Sequence, residues 1–114
     1  MTAEPIIRNA FDVEEERGVC GFRRRLITED DTEVANVTYL RIDNSRMHYH
    51  RGMTEFYYVI SGGGTVTLDG EKSPVKAGDI VVIPPGVRHT SDGEMDVLIV
   101  GVPPQETTDV WFDD

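Results

Sequence analysis

The sequence has little of three residue types on which much protein chemistry depends. A single cysteine, Cys20, in 114 residues excludes an intramolecular disulfide and every zinc arrangement built on several thiolates. Cys20 is instead read as a small buried hydrophobe. Histidine occurs only three times, and basic side chains are scarce: 11 Lys and Arg stand against 21 Asp and Glu, for a formal net charge of -10. That charge repels phosphate backbones and anionic lipid surfaces, which are bound by neutralising them with Lys and Arg, so neither nucleic acid nor a membrane is an expected partner. Apolar runs such as Ile80-Val81-Val82-Ile83 fall far short of the ~20 residues that cross a bilayer. The opening Met1-Thr2-Ala3-Glu4-Pro5 lacks the basic start and apolar stretch of a secretion signal, which makes the cytoplasm the expected compartment.

Helix-forming patterns are equally scarce. Residues 12–17 place acidic side chains where a helix start favours them, yet three adjacent glutamates give no apolar stripe; one helical turn and a solvated linker fit equally well. What is present is a string of short apolar segments punctuated by Gly, Pro, Asp and Asn, the pattern of an all-β domain. Strands are expected at 19–27, 34–42, 46–50, 55–60, 64–68, 71–76, 79–84, 89–91 and 96–102. Asp69-Gly70 is a two-residue hairpin signal, because both residues tolerate positive φ. Ser61-Gly62-Gly63-Gly64 requires a sharp bend or a close backbone approach. The length suits a single domain spanning 1–114, with a barrel core at about 34–102, an N-terminal strand segment at 1–33 and an acidic tail at 103–114.

The chemistry concentrates in the histidines. His48 and His50 flank one residue of an expected strand, so both imidazoles point to one face. Five residues later Glu55 heads Phe56-Tyr57-Tyr58-Val59-Ile60, and the turn through Arg51-Gly52-Met53-Thr54 can return its carboxylate beside them. Alternation puts Tyr57 on the face of Glu55. Its phenol is a candidate proton donor lining a pocket, although ordinary barrel packing is the stronger reading. Tyr49, Phe56, Tyr58 and Ile60 face the other way, and a bulky aromatic outer face needs a cover: a second subunit, making a homodimer, or the N-terminal segment. Arg88 is read as a surface arginine pointing away from the site. Arg23-Arg24-Arg25 is read as a charge-paired outer face in which the middle member faces opposite to its neighbours. Trp111 and Phe112 either fold back onto the barrel, meet a second subunit or fray.

The spacing of His48, His50, Glu55 and Gly62 resembles the first motif of the cupin superfamily, HxH followed by four residues, Glu, six residues and Gly. Gly78, Pro84, Gly86 and His89 resemble the second. Two positions depart from the pattern, Ile42 for the Gly that opens the first motif and Gly93 for the Asn that closes the second; both shape turns and supply no ligand. The resemblance implies a jelly-roll β-barrel of two antiparallel sheets. It also implies one divalent metal ion per chain, Zn, Fe, Mn or Ni, held by His48, His50, Glu55 and His89. The activities it implies are those of a metal-dependent enzyme acting on a small polar molecule: dioxygenase, isomerase or epimerase, and lyase types all occur. A non-catalytic module that binds or senses a small ligand is the alternative. Neutral imidazoles with one carboxylate suit borderline divalent ions and leave the complex net positive. With every histidine committed to ligation, none remains free as a general base.

Overall fold

The computed structural model describes residues 4–104 and 108–113. Eight strands account for about half of it: β1 Glu16–Arg17, β2 Gly21–Ile27, β3 Asn36–Ile42, β4 Thr54–Leu68, β5 Glu71–Lys76, β6 Ile80–Ile83, β7 His89–Asp92 and β8 Met95–Val102. All pairings are antiparallel, and the order runs β1-β2-β3-β8-β4-β5, with β6 and β7 also hydrogen-bonded to β4. The first half of β4 joins β8 and β6 in one sheet, and its second half joins β5 and β7 in the other. One strand therefore belongs to both layers of a jelly roll.

This corrects the expectation of two strands at 55–60 and 64–68. The chain does not break at the glycines; it runs on for 15 residues with a register shift between Val59 and Ser61. Glycine is required there because the two sheets close on each other. Gly62 has φ +77, and a Cβ on it would collide with the Glu94 carbonyl oxygen; one on Gly64 would collide with that of Asp92. The Asp69-Gly70 hairpin forms as expected, with φ 48 and 85.

Two other expectations need correction. Residues 46–50 form no strand, only isolated bridges from His48 to His89 and from Tyr49 to Trp111. Residues 12–17 split between the end of a short 3-10 turn, Ala10–Asp12, and β1.

Strict alternation along the strands separates inside from outside. Met95, Val97, Ile99 and Gly101 of β8 are buried, as are Leu40 and Ile42 of β3 and Glu55, Tyr57 and Val59 of β4. Each fully buried Val, Leu or Ile contributes about 1.5–3 kcal/mol through the apolar surface it removes from water. These residues fill one end of the barrel around Val59 and Val97, while the polar set at Glu55 lies toward the other. On the outer face of the β4, β6 and β8 layer, Tyr58, Ile60, Ile80 and Val82 are exposed. Tyr49 does not share that exposure: it is buried beneath the guanidinium of Arg88, 3.5 Å from the ring centroid, and beside Trp111. The C-terminal segment folds back onto the barrel. Trp111 exchanges two backbone hydrogen bonds with Tyr49, and Phe112 carries the Arg46 guanidinium at 3.7 Å. Among the described residues no helix is long and apolar enough to cross a membrane.

Candidate metal centre

The four side chains come from three places in the chain. Glu55 points inward from the start of β4, opposite Gly101 of β8 and Ile83 of β6. His89 begins β7, opposite Leu68, and is 1% exposed. His48 and His50 lie on the stretch before β4, fixed by reciprocal backbone hydrogen bonds between His48 and His89 at 2.9 and 3.1 Å, and by the Gly86 amide donating to the His50 carbonyl at 2.7 Å. One potential ligand atom from each of the four lies within 4.8 Å of the others, and all four residues are buried.

The orientation of each imidazole is set by its far nitrogen. Nδ1 of His48 lies 2.8 Å from the Arg46 carbonyl oxygen, that of His50 2.6 Å from the Asp109 carbonyl oxygen, and that of His89 2.9 Å from the Val87 carbonyl oxygen. A carbonyl oxygen only accepts, so each Nδ1 carries the proton and donates it. In a neutral ring Nε2 is then a bare lone pair. Two such atoms, those of His50 and His89, stand 3.1 and 3.2 Å from Oε1 of Glu55, and none of the three has a conventional hydrogen-bond partner.

Acceptors turned toward one another in a buried space are costly unless something positive lies between them. A divalent ion fits. Ligand atoms about 2.1 Å from an ion are about 3.0 Å apart at a right angle and about 3.4 Å apart at a tetrahedral one, which brackets the distances of the His50 and His89 Nε2 atoms from Glu55 Oε1. Carbonyl acceptors behind each ring are also the usual supports that orient metal-binding histidines.

Without a metal, protons take that role. Burial opposes the charge of Glu55, but hydrogen bonds from His50 and His89 outweigh it and hold the carboxyl at about 2. For His50, burial favours the neutral ring, yet the Glu55 hydrogen bond and charge prevail and raise its pKa. Burial, followed by the neighbouring His89, drops His48 to about 4, leaving it neutral and available as a ligand.

A cavity of about 140 Å³ opens onto the cluster, lined by His48, His50, Glu55 and Tyr57 on one side. Tyr57 is 3% exposed, with its ring edge-on to His89 at 6.1 Å. Burial, with the Glu55 charge adding to it, pushes the phenol well above its ordinary value, so it stays protonated. Cys20 is buried, with Sγ 3.9 Å from both nitrogens of His48; burial raises its thiol to about 11, that of an unreactive packing residue.

Three features escaped the sequence reading. Asp109, in the tail, receives His50 on its carbonyl, while its carboxylate accepts the amides of Arg51 and Gly52 and the indole N–H of Trp111. No local pattern marks it, since its partners around His50 lie 57 to 59 residues away and only Trp111 is near in sequence. Cys20 was read as packing without its place beside the histidines. Arg23 and Arg25 line the same cavity, so the arginine run is not a wholly outer face: their partners on β3 are Leu40 and Thr38, whose side chains also point inward. Arg24 alone faces out, donating to the Val13 carbonyl and lying over Phe11. Arg88 points away from the cluster and pairs with Asp113.

Comparison with known proteins agrees with this geometry. The family model described as "Cupin domain" matches residues 41–102, which contain the whole cluster. Among curated proteins, the uncharacterized protein MJ1618 of Methanocaldococcus jannaschii is 36% identical over 67 residues, covering 55% of this chain and 54% of its own length. The oxalate-binding protein of Thermotoga maritima is 33% identical over 58 residues, covering 49% of this chain and 48% of its own. The chain thus spans about half the length of these relatives. A crystal structure of a protein from Planctomyces limnophilus superposes with a TM-score of 0.91 at 31% identity, over 96% of this chain and 98% of that one. The Streptomyces nucleoside dehydratase Pac13 superposes at 0.83 with 19% identity, over 94% and 89%, and shares the fold. The chain is a member of the cupin family.

Proposed function

We propose that this chain is a metal-dependent cupin enzyme acting on a small polar molecule, with one Zn, Fe, Mn or Ni ion held by His48, His50, Glu55 and His89. The observation that carries the reading is the common proton placement of the three imidazoles. Each Nδ1 is spent on a backbone carbonyl, and in the neutral rings the buried Nε2 atoms of His50 and His89 turn a lone pair to a carboxylate oxygen 3.1 and 3.2 Å away. When bound, such an ion supplies a Lewis acid that polarises a substrate oxygen.

The chain's own residues supply the rest. Asp109 and the tail fix the plane of His50, and the buried barrel wall excludes water from the cavity floor. Tyr57, protonated and in the cavity wall, can donate a hydrogen bond to a bound ligand. Dioxygenase, isomerase and lyase chemistry all suit this set, and the native metal separates them, because oxygen chemistry requires a redox-active ion. Elemental analysis of protein purified without added metal is the test: about one ion per chain, lost in His50→Ala, supports the reading, and a metal-free protein that takes up none when loaded removes it.

A second reading is a module that binds a small ligand without transforming it, favoured by the 33% identity with an oxalate-binding protein. Return of every trial ligand unchanged from the metal-loaded chain would select it. We further propose a homodimer through the exposed Tyr58, Ile60, Ile80 and Val82 face, which is more apolar than water-facing strands usually present.

A further inference from the structure

The arginines of β2 give the cavity a polarity that the overall charge of the chain does not predict. Among the described residues Arg23 and Arg25 are the Lys or Arg side chains that line it, and the acidic Glu29 and Asp109 line it as well as Glu55. Both direct Nε at the same oxygen of Glu16, at 2.9 and 2.8 Å, so one carboxylate holds two guanidiniums side by side and cancels only one of their charges. Gripping Nε leaves the terminal nitrogens, the pair that forms two parallel hydrogen bonds with a carboxylate, outside these contacts. The side chains keep 32% and 43% exposure, as expected at a cavity mouth.

Across the inner face of the sheet, Arg25, Thr38, Ile99 and Tyr57 occupy one row of register, next to the row that holds Glu55. A ligand in this cavity therefore meets cationic nitrogens at the β2 side and the histidine cluster at the other. A chain of net charge -10 gains nothing in solubility from placing two arginines over a cavity, and Glu16 alone would be enough to balance one.

We propose that Arg23 and Arg25, held by Glu16, form a carboxylate clamp, and that the ligand class is small carboxylates carrying a second oxygen-bearing group that reaches the His48, His50, Glu55 and His89 cluster. The clamp itself stands on the placement of β2. Only what the far end of the ligand meets rests on the metal reading above. Glu16 acts as a positioning residue that competes with the ligand for the guanidiniums, which gives the two kinds of substitution opposite signs.

The test is calorimetric titration of the whole chain, zinc-loaded and zinc-free, with malonate and with its uncharged analogue malonamide. The zinc-loaded wild type is expected to bind malonate and not malonamide. Arg23→Gln/Arg25→Gln should weaken malonate at least about tenfold, consistent with loss of a charge-assisted pair, with zinc content unchanged. Glu16→Gln should tighten it several-fold, and Arg24→Gln, on the same strand but facing out, should leave it unchanged. The zinc-free chain should bind malonate more weakly and keep the arginine dependence. Malonate affinity that is absent, equal to that of malonamide, indifferent to the double substitution or equally reduced by Arg24→Gln overturns the clamp. If the chain takes up no zinc while malonate binding still depends on Arg23 and Arg25, the clamp stands and the metal reading falls.

Discussion

Glu55→Gln separates the roles of a ligand and of a buried structural carboxylate. The substitution keeps the shape of the side chain and removes its charge. In the metal-free protein Gln removes the charge that His50 and His89 face at 3.1 and 3.2 Å and that holds the Glu55 carboxyl low, so near neutral pH the variant should be modestly less stable. With metal the change is more adverse. Losing a residue that merely supports a ligand costs 10–100-fold in affinity, so losing an anionic ligand should cost at least about 100-fold.

The readout is the thermal shift on adding metal. Metal at 100 times the wild-type dissociation constant stabilises by about 2.7 kcal/mol, and at the weakened constant by only about 0.4 kcal/mol. For 114 residues the unfolding entropy is about 240 cal/mol/K, so each kcal/mol moves the midpoint by about 4 °C. The expected shifts are about 11 °C for the wild type and about 2 °C for Glu55→Gln, measured by scanning calorimetry against a chelator-treated baseline. Equal shifts would refute the assignment of Glu55 as a ligand.

Other perturbations probe the rest of the account. His50→Ala should abolish metal retention through gel filtration, whereas Arg88→Ala, which loses its contacts with Asp113, Tyr49 and the Gly86 carbonyl and none with the cluster, should retain the full complement. Asp109→Ala removes the acceptor of the Arg51 and Gly52 amides and of the Trp111 indole, and should loosen the segment behind His50. A fall in metal affinity of about tenfold, by competition with a chelating dye, is expected. Ile83→Val trims a side chain that is 2% exposed and should cost about 0.5–1.5 kcal/mol in urea unfolding, with an unchanged slope. Ile80→Lys places a charge in the exposed β4–β6 face and should convert a sedimenting dimer to monomer; a wild type that is monomeric at every concentration ends the dimer proposal.

Local pattern revealed much of this fold because its strands alternate with little error. Period-two alternation placed His48 with His50 and Glu55 with Tyr57, and the Asp69-Gly70 turn followed from the φ those residues tolerate. What stayed hidden depended on distant chain. Residues 46–50 have the composition of a strand, but only His89 and Trp111 bridge to them, so no ladder forms. The glycines at 62–64 signalled a close approach without revealing that one strand passes through it into the second sheet. Alternation correctly set Arg24 apart from Arg23 and Arg25. It could not say which of the two faces was inside, because that follows from Leu40 and Thr38 across the ladder. Asp109 reaches His50 through its backbone carbonyl, which every residue has, so that contact left no mark in the sequence.

The most direct measurement is a crystal structure of the metal-loaded chain with anomalous diffraction recorded across the metal's absorption edge. One strong anomalous peak per chain is expected, about 2.0–2.2 Å from Nε2 of His48, His50 and His89 and from a Glu55 oxygen. A peak elsewhere, or none with Glu55 still hydrogen-bonded to a protonated His50, would contradict the account.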